Sequence, residues 1–251
     1  MQFREFQNPI ILYKDGVPST NYGIRIYSTN ILSAPSKKLK FIDIEGRKNG
    51  SLTIDEGYED FTLTLECILV PRADEEIATL AHDAKKYLLS GSNCKLYTSE
   101  DTSFYLIGTY SSAIDIKEAI ENFGLFQAQF RCKPYRLSNS ETSTRITTQN
   151  TVIDNQHYET SPIIEVVGNG DITIKINSQE LILRDVEGSI TIDCDKMNAE
   201  RIGSTGQLMN QNHKMYSDFP VIEEGENIIS WTLGTGATLT SITIRFRMAV
   251  I

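Results

Sequence analysis

Phe61–Val70 reads FTLTLECILV. Phe61, Leu63, Leu65 and Cys67 fall on one side of an extended chain, and Thr62, Thr64 and Glu66 on the other, because successive side chains of a strand point to opposite faces. Pro71 stops the run, since proline cannot donate to a ladder. Phe123–Lys133 (FGLFQAQFRCK) repeats the pattern, with Phe126, Ala128, Phe130 and Cys132 opposed to Gln127, Gln129 and Arg131. Two long alternating stretches predict a sheet with one buried face.

Working outward, Gly23–Leu32 (GIRIYSTNIL) and Leu39–Glu45 (LKFIDIE) predict strands with at least one buried face, the second a bulged or two-sided one. Asn49-Gly50 is a turn signal, after which Ser51–Asp55 resumes a strand. Cys94–Thr98 and Phe104–Tyr110 are further strands. Residues 74–89 (DEEIATLAHDAKKYLL) form the one convincing helix, with acidic residues at its start and Lys85 and Lys86 near its end. Ile77, Leu80, Ala81, Ala84 and Leu88 share a face, which predicts an amphipathic helix packed on the sheet. This half, residues 1–137, is a mostly β domain with one helix.

Lys133-Pro134-Tyr135-Arg136-Leu137 leads into Ser138-Asn139-Ser140-Glu141-Thr142-Ser143-Thr144, a stretch too polar for a core. The boundary is expected here, with residues 138–251 as the second domain. Short strands follow at Pro162–Val167, Asp171–Ile176, Glu180–Leu183, Gly188–Ile192, Asn227–Leu233 and Leu239–Met248. Gly168-Asn169-Gly170-Asp171 and Asn177-Ser178 read as hairpin turns. That spacing predicts an antiparallel β-sandwich. Asn198–Asp218 is poor in apolar residues and reads as a long loop or irregular crossing.

The 251 residues are comfortable for two domains, and 40% hydrophobic content supplies material for two cores. No stretch approaches the ~18 apolar residues that a membrane helix needs, and the first residues do not read as a secretory signal, so synthesis in a cytoplasm is expected. Net charge is −9: residues 1–137 carry 16 basic and 18 acidic side chains, and the remainder 8 and 15. An acidic surface repels phosphate backbones and argues against nucleic-acid recognition.

The search for chemistry is unproductive. Cys67, Cys94, Cys132 and Cys194 form no C-x-x-C pair; Cys67, Cys132 and Cys194 lie in or beside apolar or alternating runs, where small core residues are expected. His82, His157 and His213 have no neighbour at zinc spacing. Asp193-Cys194-Asp195 reads as a turn after a strand, and Asp55–Asp60 (DEGYED) as a solvated loop without calcium-loop spacing. Gly203-Ser204-Thr205-Gly206 and Gly234-Thr235-Gly236 precede no helix, so they are turns and not phosphate cradles. No catalytic, cofactor or metal residue is assigned, and an enzyme is not expected. Trp231 is the one candidate ligand contact: an exposed tryptophan on a sandwich could stack on a sugar, although core or edge packing is its commoner fate.

Several strand ends carry a resemblance. Phe130-Arg131-Cys132-Lys133-Pro134-Tyr135, Asp171–Asn177 (DITIKIN), Ile190–Cys194 (ITIDC), Lys214–Pro220 (KMYSDFP) and Glu224–Trp231 (EGENIISW) resemble the distal tail proteins (Dit) of long-tailed phages and prophages of Gram-positive bacteria. The resemblance implies a ring-forming (belt) N-terminal domain and a galectin-like C-terminal sandwich. It also implies a homohexameric ring at the virion tail tip or baseplate, with stacking of two rings left open. Implied partners are the tail tube protein, the tail-associated or tail-tip protein and a receptor-binding protein, with no membrane. The early strands and the Gly46–Asp60 stretch suit subunit contacts. The alternatives are a carbohydrate-binding module acting through the second domain and Trp231, and, more distantly, a cell-wall hydrolase.

Overall fold

The computed structural model describes residues 9–46, 48–71, 76–114, 116–119, 123–203 and 205–251. Among the described residues the chain is mostly β with a single α-helix, and it divides into two compact units, one ending at Arg136 and one spanning Leu137–Val250.

In the first unit Phe61–Leu69 pairs antiparallel with Phe123–Cys132 along its whole length, Cys67 opposite Phe126 and Leu63 opposite Phe130. Its other edge pairs with Ile24–Thr29. Leu63, Leu65, Cys67, Leu69, Phe126, Ala128, Phe130 and Cys132 are all buried in one core, as their alternation predicts. The neighbouring strands are Asp101–Tyr110, Cys94–Thr98 and Leu12–Lys14. Ile10, just ahead of Leu12, then bridges to Ile26: Ile10 N donates to Ile26 O at 3.2 Å and Ile26 N to Ile10 O at 3.3 Å. The sheet therefore curls until its ends meet. That protects an edge which would otherwise expose unpaired backbone groups.

The described helix is Ile77–Leu89, entered from an extended Glu76; Asp74 and Glu75 lie outside the described residues. Leu80, Ala84, Tyr87 and Leu88 are buried, with Ile77 and Ala81 packed against the same core. Tyr87 joins this face because its ring stacks on Tyr22 at 4.6 Å and its hydroxyl donates to the Val17 carbonyl. The helix end is closed by Lys14, whose Nζ donates to the carbonyls of Tyr87 (2.6 Å), Leu88 (3.2 Å) and Ser90. Those are carbonyls that the end of a helix leaves without internal partners.

Two predicted strands depart from expectation. Lys37–Ile42 and Leu52–Tyr58 pair only with each other, as a two-stranded antiparallel ribbon. Neither has the buried face that patterning suggests. Asp55 and Glu56, read as part of a solvated loop, belong to this ribbon.

The second unit is organised by one long hairpin, Ile163–Ile176 with Gln179–Asp193, turning at Asn177 (φ 53°). This corrects two expectations. Pro162–Val167 and Asp171–Ile176 are parts of one strand, and Glu180–Leu183 and Gly188–Ile192 are parts of another. Gly168-Asn169-Gly170-Asp171 is thus no hairpin turn. The strand changes partner there: Ile163–Asn169 pairs with Thr238–Phe246, and Ile172–Ile176 with Gly225–Leu233. Gly170 (φ 84°) and Gly188 (φ 76°) take the left-handed conformation that glycine accepts cheaply, and the register slips between Gly170 and Ile172. Ile164 and Val166 from one half and Ile172, Ile174 and Ile176 from the other enter a single core.

Thr142–Ile146, read as part of a polar junction, is a strand paired with Thr238–Phe246. Its polarity suits an edge position with one side toward solvent. Asn198–Asp218 is likewise more regular than a loop, holding strands Asn198–Ile202 and Leu208–Asn210 and a 3-10 turn at Asn212–Lys214.

Candidate functional site

The Lys37–Tyr58 ribbon pairs with no other strand among the described residues. Phe41 stands opposite Thr53, and Leu39 opposite Asp55; Ile54 stands opposite Lys40, and Leu52 opposite Ile42. Leu39 and Phe41 therefore lie on one face, and Leu52 and Ile54 on the other. All four are exposed, Phe41 with 64% of its surface in water. An isolated two-stranded ribbon is marginal in water, because neither face is covered by a second layer. Its base is fastened: Glu59 N donates to Ser36 O at 2.9 Å, and Tyr58 meets Tyr135 edge-on at 5.9 Å. Lys37 pairs with Asp55 at 2.8 Å, and that hydrogen bond holds the Asp55 carboxyl below its usual range. Exposed ion pairs of this kind contribute little.

The remaining candidates resolve into structure. All four cysteines are free and buried. Burial pushes the thiols of Cys67, Cys132 and Cys194 up to about 12. Asp193 closes a turn, its Oδ1 accepting from Lys196 N (3.0 Å) and its Oδ2 pairing with Lys196 Nζ (2.8 Å). Gly203 and Gly206 form the turn between Asn198–Ile202 and Leu208–Asn210, Gly206 N donating to Gly203 O at 2.9 Å; Ser204 lies outside the described residues. Gly234 accepts from Ala237 N at 3.1 Å in the turn before Thr238. His82 is exposed on the helix, and among the described residues no three His, Cys, Asp or Glu side chains converge as a metal site.

Trp231 stands opposite Ile174, in phase with the buried Ile229, and is partly buried against the second core. Gln149 brackets its backbone: Nε2 donates to Trp231 O (2.8 Å) and Oε1 accepts from Trp231 N (3.1 Å). Nearby motif residues also have structural work. Asn227, fully buried, donates from Nδ2 to the carbonyls of Glu223 (2.9 Å) and Gly225 (3.0 Å), while its Oδ1 accepts from Glu223 N (2.9 Å). Asn177 and Gln179 hold the Glu223 carboxylate at 2.9 and 3.3 Å. Ser217 Oγ accepts from Ile182 N at 2.9 Å. Asn177, Gln179, Ser217 and Asn227 thus shape loops at the strand ends.

No family model matches the chain, and no curated protein matches it by sequence. Solved structures do. The crystal structure of phage SPP1 Dit, described as a paradigm of the hub adsorption apparatus in phages infecting Gram-positive bacteria, matches with a TM-score of 0.76 at 16% identity, over 97% of this chain and all of that one. The chain has the fold of SPP1 Dit. A component of the phage p2 baseplate in its activated conformation matches with a TM-score of 0.54 with strontium and 0.55 with calcium. Identity there is 12% and 11%, over 94% of this chain and 97% of those chains. At 16% identity the likeness is one of fold.

Proposed function

We propose that this chain is the hub subunit of a phage tail tip. Six copies close into a ring that joins the tail tube to the tail-associated and receptor-binding proteins, after synthesis in the host cytoplasm. The observation that carries this reading is the Lys37–Tyr58 ribbon, with exposed apolar side chains on both faces and paired with no other strand among the described residues. A head-to-tail ring gives every such ribbon a neighbour to pack on, without leaving one unpaired. The Dit fold supports the assignment, since its known examples belong to a hub and a baseplate. Trp231, the residue on which a glycan-binding reading would depend, is partly buried against the second core, which favours the hub reading.

Mass photometry and negative-stain electron microscopy of the full chain, alone and mixed with its tail partners, test the proposal. The expected result is a particle of six 28.2 kDa chains with six-fold symmetry. A chain that stays monomeric under every one of these conditions overturns it.

A further inference from the structure

We propose that Asn49 is a site of spontaneous deamidation, and that the fold protects Asn169 from the same reaction. Both are followed by glycine, Gly50 and Gly170, and they are the two Asn-Gly pairs of the chain. The backbone nitrogen of the following residue loses its proton and attacks the asparagine side-chain carbonyl carbon. A C–N bond forms, the C–NH2 bond breaks and ammonia leaves, giving a five-membered cyclic imide. Water then opens either carbonyl, so that asparagine plus water becomes aspartate or isoaspartate plus ammonia. A following glycine favours the attack because no Cβ shields its nitrogen.

The chemistry is local, but the geometry it needs is not. The next peptide must rotate until its nitrogen meets the side-chain carbon, and water must reach the imide. Asn49 and Gly50 are exposed, in the connection between the two ribbon strands. Gly50 has φ 74°, and the position of a Cβ there would meet nothing within 4 Å. This peptide has room to turn.

Asn169 is also exposed, but its backbone is held between two neighbouring strands. It lies within Ile163–Ile176, opposite Glu187 on one neighbour and Thr238 on the other. Its Oδ1 accepts from Gly188 N at 2.9 Å, and its Nδ2 donates to Thr238 Oγ1 at 3.5 Å. Gly170 is backed by Ala237, whose Cβ lies 2.9 Å from where a Gly170 Cβ would be. Ring closure would have to strip the side chain of both bonds and turn the peptide out of the ladder. At Asn169 the reaction therefore waits on local opening of the sheet. Each conversion at Asn49 adds a negative charge at the end of the exposed ribbon, whatever the ribbon contacts.

The test is peptide mass spectrometry, with enzymatic methylation of isoaspartate, on the full chain aged for weeks in mildly alkaline buffer. In folded protein the acidic form should accumulate at residue 49 roughly tenfold or more faster than at 169. In urea the two rates should converge, because both share the Asn-Gly chemistry. N49Q should abolish the early signal and leave the slow signal at 169 unchanged. Equal rates in the folded protein, or a residue 49 that is as slow as 169, overturn the inference.

Discussion

The ammonium of Lys14 donates a 2.6 Å hydrogen bond to the carbonyl of Tyr87, 73 residues away in sequence, while the lysine is only 4% exposed. Lys14 lies on a strand next to Asp15 and closes the far end of the helix; the Tyr87 ring sits 5.5 Å from its Nζ. Desolvation pushes its pKa down, partly opposed by Cys94 and Asp15. Lys14→Met keeps the length and apolar stem but takes that donor from the Leu88 and Ser90 carbonyls, while Ser90 Oγ still donates to the Tyr87 carbonyl at 2.9 Å. The expected cost is ~1–3 kcal/mol, the range for stranding buried carbonyls. Denaturant melts should show that loss, and hydrogen exchange should show faster exchange in the last helical turn.

Cys67, Cys132 and Cys194 keep their protons to about 12 in the fold, against an ordinary value of 9.0. Buried thiols react only when thiolate and reagent can meet. Alkylation at pH 8 should leave all three unmodified in native protein and label them on unfolding. The sign of the pH effect follows from linkage. Above about 9 the unfolded thiols ionise while the folded ones do not, so their contribution to stability is full below that pH and is lost as pH rises toward about 12. Melting temperature measured across that window should fall.

Gly168 occupies a place where a Cβ would lie 2.3 Å from the Thr238 carbonyl oxygen. Gly168→Ala should therefore force the partner strand to move and cost ~1–3 kcal/mol, the usual range for an overpacked site. At Gly188, directly opposite, nothing stands within 4 Å, but φ is positive, so Gly188→Ala is penalised by conformation and not by collision. Denaturant midpoints of the two variants, with crystal structures to show whether the Thr238 strand shifts, would distinguish the mechanisms.

Phe41 tests the ribbon. Because 64% of it is exposed in the single chain, Phe41→Asp should change monomer stability by only ~0.5 kcal/mol or less. The same change should abolish the ring seen by mass photometry. A variant that assembles normally would place subunit contacts elsewhere.

Alternation along Phe61–Leu69 and Phe123–Cys132, and the apolar face of Ile77–Leu89, were legible in the sequence because they depend on side-chain periods of two and 3.6 residues. The same reading predicted strands over Leu39–Glu45 and Ser51–Asp55, which the structure places at Lys37–Ile42 and Leu52–Tyr58. It did not reveal that no layer among the described residues covers them, since a period says which residues share a face and not what lies opposite. Likewise Gly168–Gly170 suits either a tight turn or a bend within a strand. Long-range pairing with Gly225–Leu233 and Thr238–Phe246 decided for the bend. Thr142–Ile146 looked too polar to be a strand because half of an edge strand's surface faces water. The sequence by itself determined the β-rich character, the single helix and the buried faces, all set by neighbours a few residues apart. Tertiary structure alone decided the curled closure through Ile10 and Ile26, the Lys14 cap and the unpartnered ribbon, because each depends on which distant segments meet in space.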